Sequence, residues 1–115
     1  MRISMLALIT LTACRWGGVE FREEADGDAL KEVHSGEIHE CADFGVFPAD
    51  GLSVYRTRYR EGNGGRSTLV DRTSLDTDPQ WNYVCTTHVY DPGVYRVQYT
   101  RKDGTELATG RVVVK

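Results

Sequence analysis

Two pairs of histidine and cysteine residues stand at spacings that could bind a metal ion. His39 precedes Cys41 by two positions, and His88 follows Cys85 by three. Thiolate sulfur and imidazole nitrogen are ligands that zinc and copper accept. The four side chains would supply two cysteines and two histidines, although the spacings are not those of a zinc finger. A periplasmic metal-binding protein is therefore one hypothesis for this chain.

A third cysteine, Cys14, directly follows an apolar segment near the amino terminus. Residues 3–10 (ISMLALIT) are apolar, but they are fewer than the about 20 residues that a helix needs to cross a bilayer. Such a segment is typical of an export signal. Residues 11–14 (LTAC) resemble the lipobox of bacterial lipoprotein precursors: an aliphatic residue, two small residues and a cysteine.

This resemblance implies a processing route and an address. In bacterial lipoproteins the cysteine is acylated and the segment before it is removed, so residues 1–13 would be a signal peptide and Cys14 the lipidated first residue. Two or three acyl chains make a durable membrane anchor, whereas one gives only marginal binding. The resemblance thus implies a protein of the cell envelope. Arg15 after the cysteine favours the outer membrane, facing the periplasm or the surface.

With Cys14 assigned to lipid, Cys41 and Cys85 remain as an even pair outside the cytosol. Disulfides persist in such compartments, so a single bridge is the preferred prediction and the metal site is the alternative. Closing a loop of about 44 residues would stabilise the fold by about 4 kcal/mol in the chain-entropy model. With a disulfide at these positions, the sequence predicts no cofactor.

The most localised charge in the sequence lies on one strand. Residues 52–60 (LSVYRTRYR) alternate, which predicts a half-buried strand with its tyrosines and threonine inward and its arginines outward. The outward arginines would form a stripe able to bind an anion, or a solvated outer face. The three residues of this stripe are Arg56, Arg58 and Arg60.

The sequence lacks the patterns of several catalytic and binding classes. No serine stands in a GxSxG segment, and neither a phosphate-binding loop nor a dinucleotide-binding motif is present. These absences predict that the chain is not an enzyme. The net charge of −3 disfavours nucleic acid as a partner, because phosphate binding needs a concentrated basic surface.

The alternation of short apolar segments and turns predicts an all-β fold. Residues 61–65 (EGNGG) predict a turn that returns residues 66–72 as the antiparallel partner of the first strand. Asp103 and Gly104 predict a tight turn between the last two strands. The spacing of Trp81, Tyr83 and Cys85 places the predicted bridge beside an indole in the core. Six or seven strands are expected.

The segment from His88 to Val97 resembles a signature of extracellular immunoglobulin-like β-sandwiches, above all that of the polycystic-kidney-disease repeat. That signature contains histidine, tyrosine, proline with glycine, tyrosine and valine in this order. The resemblance implies an antiparallel sandwich in which a corner leads into a strand and a tyrosine hydroxyl pins that corner. The corner residues are Asp91, Pro92, Gly93 and Tyr95.

These patterns predict three parts: a signal peptide at residues 1–13, an acidic lipidated tether at residues 14–36, and an immunoglobulin-like domain at residues 37–115. Such sandwiches normally serve adhesion, display or scaffolding. The leading hypothesis is therefore a membrane-anchored lipoprotein that acts as a non-catalytic binding or accessory module. Its expected partners are the membrane, through the lipid, and an envelope protein or glycan.

Overall fold

A computed structural model describes residues 17–45, 53–76 and 82–115 of the chain. The predicted signal peptide, the predicted lipid-bearing Cys14 and the predicted core indole of Trp81 lie outside these residues. Within the described part of the chain, no helix is long and apolar enough to span a membrane.

The described residues form an all-β fold, with one short 3-10 turn at Asn63–Gly65 as the only helical element among them. This confirms the predicted all-β class. The eight strands are β1 (Gly17–Arg22), β2 (Glu32–Val33), β3 (Gly36–Asp43), β4 (Ser53–Glu61), β5 (Ser67–Asp76), β6 (Tyr83–Tyr90), β7 (Gly93–Arg101) and β8 (Glu106–Val114).

The strands belong to one mixed sheet in the order β5-β4-β7-β8-β1-β3-β6, and β2 pairs with β8 beside this path. Most neighbours are antiparallel, as the sequence predicted. However, β1 and β2 both run parallel to β8, so the expectation of a purely antiparallel arrangement is wrong. Parallel pairing joins strands that are distant in sequence, and no local turn signal announces it.

The two local turn predictions are confirmed. Strands β4 and β5 form the expected antiparallel hairpin around the glycine-rich turn, where the Gly62 N–H donates to the Arg66 carbonyl oxygen at 2.7 Å. Strands β7 and β8 are joined by the second turn, where the Gly104 N–H donates to the Arg101 carbonyl oxygen at 3.0 Å. Both turns are encoded by residues adjacent in the chain, which is why the sequence revealed them.

Two segments of the predicted tether, Gly17–Arg22 and Glu32–Val33, are strands of the sheet, so the prediction of a tether is wrong for them. Strand β1 pairs with both β3 and β8, and Phe21 on β1 is 2 % exposed. Strand β2 pairs with the carboxyl-terminal end of β8. Strand β1 approaches β8 very closely at Gly110. A Cβ atom at that position would lie 2.6 Å from the Val19 carbonyl oxygen, so only glycine fits there.

The sheet curls until its two ends face each other across a common interior. Aromatic rings from different strands meet there, with Tyr90 of β6 edge-on to Phe21 at 6.3 Å and to Tyr95 of β7 at 5.0 Å between ring centroids. Aliphatic side chains fill the remaining space, among them Ile38, Val54, Val97, Leu107 and Val112. Curling thus gives a single sheet the enclosed core that two packed layers would otherwise supply.

Candidate functional site

Strand β4 turns Arg56 and Arg58 inward, which reverses the orientation predicted for these two residues, whereas Arg60 is exposed. Arg56 is fully buried and Arg58 is 9 % exposed, whereas Tyr55 and Tyr59 on the opposite face are half-buried. The predicted anion-binding stripe is therefore wrong. The physical reason is a buried carboxylate on the facing strand, which needs a cation beside it.

That carboxylate belongs to Glu40 of β3, which is fully buried. The Arg56 guanidinium donates to it with two bonds, Nε to Oε2 at 2.6 Å and Nη2 to Oε1 at 2.9 Å. Bidentate pairing of this kind is the strongest arrangement for the two groups. The Arg56–Glu40 pair also spans the interior. Its two strands, β4 and β3, are separated in the sheet by β7, β8 and β1.

Two tyrosine hydroxyls complete the hydrogen bonding of the Glu40 carboxylate. The Tyr90 hydroxyl donates to Oε1 at 2.6 Å, and the Tyr99 hydroxyl donates to Oε2. Burial raises the pKa of both tyrosines above the ordinary range, and the adjacent Glu40 charge raises it further. Both hydroxyls therefore keep their protons and act as fixed donors.

Arg58 extends this network toward solvent. It donates to Asp71 of β5 through Nε and Nη2, at 3.2 and 2.6 Å, and its Nη1 donates to the Val89 carbonyl oxygen of β6 at 2.8 Å. Its guanidinium also lies 4.4 Å from the centroid of the Tyr90 ring. One side chain thereby links β4, β5 and β6 across the opening of the curled sheet.

Charge and burial compete at the two carboxylates of the network. Burial alone would raise the pKa of Glu40, but hydrogen bonds and charge from Arg56, with the tyrosine hydroxyls, hold it below its ordinary value. Asp71 behaves in the same way, with Arg58 and Arg56 as the groups that lower its pKa. Both groups are therefore carboxylates at neutral pH.

His88 is the one histidine that faces the interior among the described residues. Its Nε2 lies 2.7 Å from the Thr86 hydroxyl and 3.9 Å from Oε2 of Glu40. Burial lowers the pKa of His88, and the Glu40 charge opposes this only in part. The imidazole is therefore neutral at neutral pH, held in an environment that disfavours its protonation.

The disulfide between Cys41 and Cys85 is present, which confirms the preferred prediction for the cysteines. It lies on the face of β3 and β6 opposite Glu40 and Ala42, where Cys41 is buried at 3 % exposure and Cys85 is exposed, so the predicted burial holds for one of the two cysteines. The four proposed metal ligands do not converge, since both sulfurs are bonded to each other. His39 points outward with Cys41, and His88 points inward. No cluster of metal-ligating side chains occurs within residues 17–45, 53–76 and 82–115.

The predicted corner between β6 and β7 has the geometry expected of it. The Tyr95 hydroxyl donates to the Asp91 carbonyl oxygen at 2.9 Å. Gly93 adopts a φ of 155°, and a Cβ there would lie 2.8 Å from Nε of Arg60. Arg60, the outermost arginine of the predicted stripe, donates instead to the Pro92 carbonyl oxygen at 3.0 Å. It therefore secures a structural corner.

The outward surface of β5, β4, β7 and β8 contains a different set of arginines. Two of them lie over the rings of outward tyrosines. The Arg72 guanidinium lies 4.5 Å from the centroid of the Tyr55 ring, and the Arg96 guanidinium lies 4.8 Å from the centroid of the Tyr59 ring. We call this surface the Arg–Tyr face and include in it the cross-strand neighbour of Arg96. Its members are Tyr55, Tyr59, Arg72, Arg96 and Arg111.

The charges of the Arg–Tyr face are only partly neutralised. Arg96 and Arg111 are register partners on β7 and β8, and like charges in that position repel. Glu61 accepts from Nε of Arg111 at 3.1 Å. Among the described residues, neither Arg96 nor Arg72 has a carboxylate partner within ion-pair distance. The guanidinium groups of Arg72 and Arg96 therefore lie beside aromatic rings without a paired carboxylate among the described residues.

Comparison with known proteins finds similarity of fold to solved structures. No protein-family model matches the chain, and no curated protein matches it. The chain resembles the soluble domain of PmoD from Methylocystis sp. ATCC 49242 (Rockwell), with a TM-score of 0.54 and 14 % identity over 86 % of this chain and 90 % of that one. It also resembles a superoxide reductase (Neelaredoxin) from Ignicoccus hospitalis, with a TM-score of 0.50 and 12 % identity over 87 % of this chain and 80 % of that one.

The second likeness corrects the expectation that this chain is not an enzyme. That expectation rested in part on the assumption that β-sandwiches of this kind do not catalyse reactions. A superoxide reductase shares the fold at a TM-score of 0.50, so the architecture is compatible with catalysis. At 12 % identity the likeness concerns the fold alone.

The buried ion pair leads to a first prediction, on stability. Glu40→Gln removes the buried bidentate partner of Arg56 and leaves only the longer contact of Nη1 with Asp71 at 3.3 Å, so we expect the free energy of unfolding to fall by about 3 to 5 kcal/mol. The matched control is Glu20→Gln, which breaks an exposed pair with Arg22 at 3.4 Å and should cost about 1 kcal/mol or less. Urea denaturation at neutral pH measures both. Equal losses in the two variants would contradict the assigned role of Glu40.

The lowered pKa values of His88 and Glu40 predict that the free energy of unfolding falls in two steps as the pH is lowered. His88 has a lowered pKa in the folded state, so below about pH 6.5, the ordinary pKa of histidine, the unfolded chain binds more protons than the folded one and stability falls. Glu40 also has a lowered pKa, so its contribution is present above 4.5 and is lost as the pH falls further. Urea midpoints across this range should show both steps in the wild type. In His88→Gln the upper step should vanish, and an unchanged profile would refute its assignment.

Proposed function

We propose that this chain is a lipid-anchored protein of the cell envelope whose Arg–Tyr face binds an anionic glycan. The observation that supports this most is the pair of stacked arginines, Arg72 on Tyr55 and Arg96 on Tyr59, which have no carboxylate partner among the described residues.

Stacking prepares the two arginines for an anion. A guanidinium held flat on a ring loses less conformational freedom when it binds, and its N–H edge remains available for a carboxylate, sulfate or phosphate. Arginine suits such groups because it can donate two parallel bonds. Tyr55 and Tyr59 lie on one strand face about 14 Å apart along β4, since a strand rises about 3.4 Å per residue. That separation suits an extended, repeating ligand.

Repulsion within the face supports the same ligand class. Arg96 and Arg111 are direct cross-strand neighbours, and Glu61 neutralises only one of the two charges. An anion placed between them would relieve this repulsion. Tyr55 and Tyr59 are half-buried, and the part of each ring that the guanidinium group leaves uncovered offers apolar surface to the C–H groups of a sugar. We therefore favour an acidic polysaccharide over an acidic protein.

We also propose that the domain belongs to the immunoglobulin-like class. The strand order supports this, because β5, β4, β7 and β8 would form one layer and β1, β3 and β6 the other. The tyrosine at the start of β7, which bonds back to the preceding corner, is a feature of that class. The disulfide differs from the antibody pattern, since it joins neighbouring strands of one layer.

The lipid anchor is supported by the lipobox resemblance of residues 11–14 and yields a test of its own. When the full chain is expressed in a bacterium, the membrane fraction should contain a chain that begins at Cys14 and has added acyl mass. Cys14→Ala should prevent acylation and release the protein from the membrane. Intact-mass spectrometry measures both. A wild-type chain that retains residues 1–13 and has no added mass would refute the anchor.

Glycan binding predicts a selective effect of the stacked arginines. With dextran sulfate as the probe, Arg72→Gln and Arg96→Gln should each raise the dissociation constant about tenfold, because each removes a charge-assisted hydrogen bond of at least about 1.5 kcal/mol. Isothermal titration calorimetry measures the constants. The affinity should also fall with salt.

Lys102→Gln is the matched control, because it removes one positive charge from an exposed turn outside the face. It should leave the dissociation constant within about twofold. Neutral dextran should not bind. Equal losses for Lys102→Gln and Arg96→Gln would show that net charge alone attracts the polymer and would overturn the proposed site.

A further inference from the structure

Strand β6 lies at one end of the sheet, and among the described residues only the Arg58 guanidinium bonds to the backbone on its outer edge. Within the described part of the chain it pairs with β3 alone, over the whole of its length. Such an edge exposes unpaired N–H and C=O groups that can pair with another strand.

The register identifies the residues whose backbone groups point to the open edge. The Phe44 N–H donates to the Asn82 carbonyl oxygen at 2.7 Å, so these two residues form a hydrogen-bonded pair. Bonded and non-bonded pairs alternate along an antiparallel ladder. The residues of β6 in non-bonded pairs, which direct both groups outward, are therefore Tyr83, Cys85, Thr87 and Val89.

Two independent observations agree with this assignment. The Cα atoms of Cys41 and Cys85 are 4.0 Å apart, which fits the closer spacing of a non-bonded pair. The Val89 carbonyl oxygen accepts from Nη1 of Arg58 at 2.8 Å, so it points away from β3. A carbonyl oxygen has a second lone pair, and Val89 can accept another bond there.

The side chains of this edge lack the usual protection against strand pairing. Strand β6 (YVCTTHVY) contains no lysine, arginine, aspartate, glutamate or proline, whereas β5 at the other end contains Asp71, Arg72 and Asp76. Val89 is 66 % exposed and Tyr83 is 44 % exposed. Natural edge strands are commonly guarded by charges or proline, so an unguarded apolar edge indicates a place where a strand docks.

We infer that a second copy of this chain pairs with β6, antiparallel and about a two-fold axis through Thr86. In this arrangement Tyr83 lies opposite Val89 of the second copy, and Cys85 lies opposite Thr87 of the second copy. It is the one register that uses all four outward residues on both copies. It forms about eight backbone hydrogen bonds, two for each of four bonded pairs.

Self-complementarity favours a second copy over an unrelated strand. The two most exposed apolar side chains of β6 cover each other twice, once at each end of the interface. The remaining outward pair is small and uncharged, and on the opposite face Thr86 meets itself. No pair in this register places like charges opposite each other.

The test measures the oligomeric state of the full chain with Cys14→Ser, which removes acylation and the third thiol. Analytical ultracentrifugation should show a concentration-dependent dimer. Val89→Lys should raise the dimer dissociation constant at least about tenfold, because the symmetric contact is lost twice. Leu69→Lys is the matched control: it changes an exposed apolar residue, 57 % exposed, on the other edge strand and should leave the dimer intact.

A charge exchange tests the register itself. Val89→Lys and Tyr83→Asp should each dimerise at least about tenfold more weakly alone, but mixed in equal amounts they should form a heterodimer with one Lys–Asp pair and one native pair. Hydrogen exchange of Tyr83, Cys85, Thr87 and Val89 should slow as the protein concentration rises. A monomer at all concentrations, or a dimer that Leu69→Lys disrupts as strongly as Val89→Lys, would overturn the inference.

Discussion

A carboxylate and a guanidinium with essentially no solvent contact lie at the centre of this fold, on strands that three others separate in the sheet. Removing two charges from water costs several kcal/mol each, and the attraction between them repays this only where geometry and additional donors are favourable. Here Glu40 receives four donors, two from Arg56 and one from each of two tyrosines. Strands β3, β4, β6 and β7 must all be in place for that set to exist. The ion pair therefore couples the curl of the sheet to the register of its strands.

The orientation of β4 illustrates what a sequence pattern can and cannot decide. Alternation correctly indicated a strand, but it does not say which of its two faces is buried. Tyrosine is more often buried than arginine, which favoured the wrong choice. The missing signal was on another strand: Ile38, Glu40 and Ala42 alternate at period two and place a carboxylate in the core. A buried carboxylate calls for a cation, and two arginines alternate along β4.

The features that the sequence revealed are mostly local. A glycine-rich turn, an Asp-Gly turn and a proline-glycine corner each depend on adjacent residues, and all three are present in the structure. The disulfide followed from counting cysteines. By contrast, β1 was hidden in an acidic segment with only Val19 and Phe21 as inward apolar residues. Its parallel pairing with β8, far away in the chain, had no local sign. The Arg–Tyr face was missed for the same reason, since its arginines come from three strands and become neighbours only through register.

Strand β4 links the buried ion pair to the outer surface of the sheet, because it contributes side chains to both. Arg56 and Arg58 alternate with Tyr55, Thr57 and Tyr59, so a strand that turns its arginines inward necessarily turns its tyrosines outward. A slip of one residue would bury the tyrosines and expose the arginines. Such a slip would leave Glu40 without its counter-ion, at the cost of an uncompensated buried charge. The ion pair thus fixes which face of β4 points inward, and in that orientation Tyr55 and Tyr59 lie beneath Arg72 and Arg96. The proposed binding surface is in this sense a consequence of the buried carboxylate, although the two lie on opposite sides of the sheet.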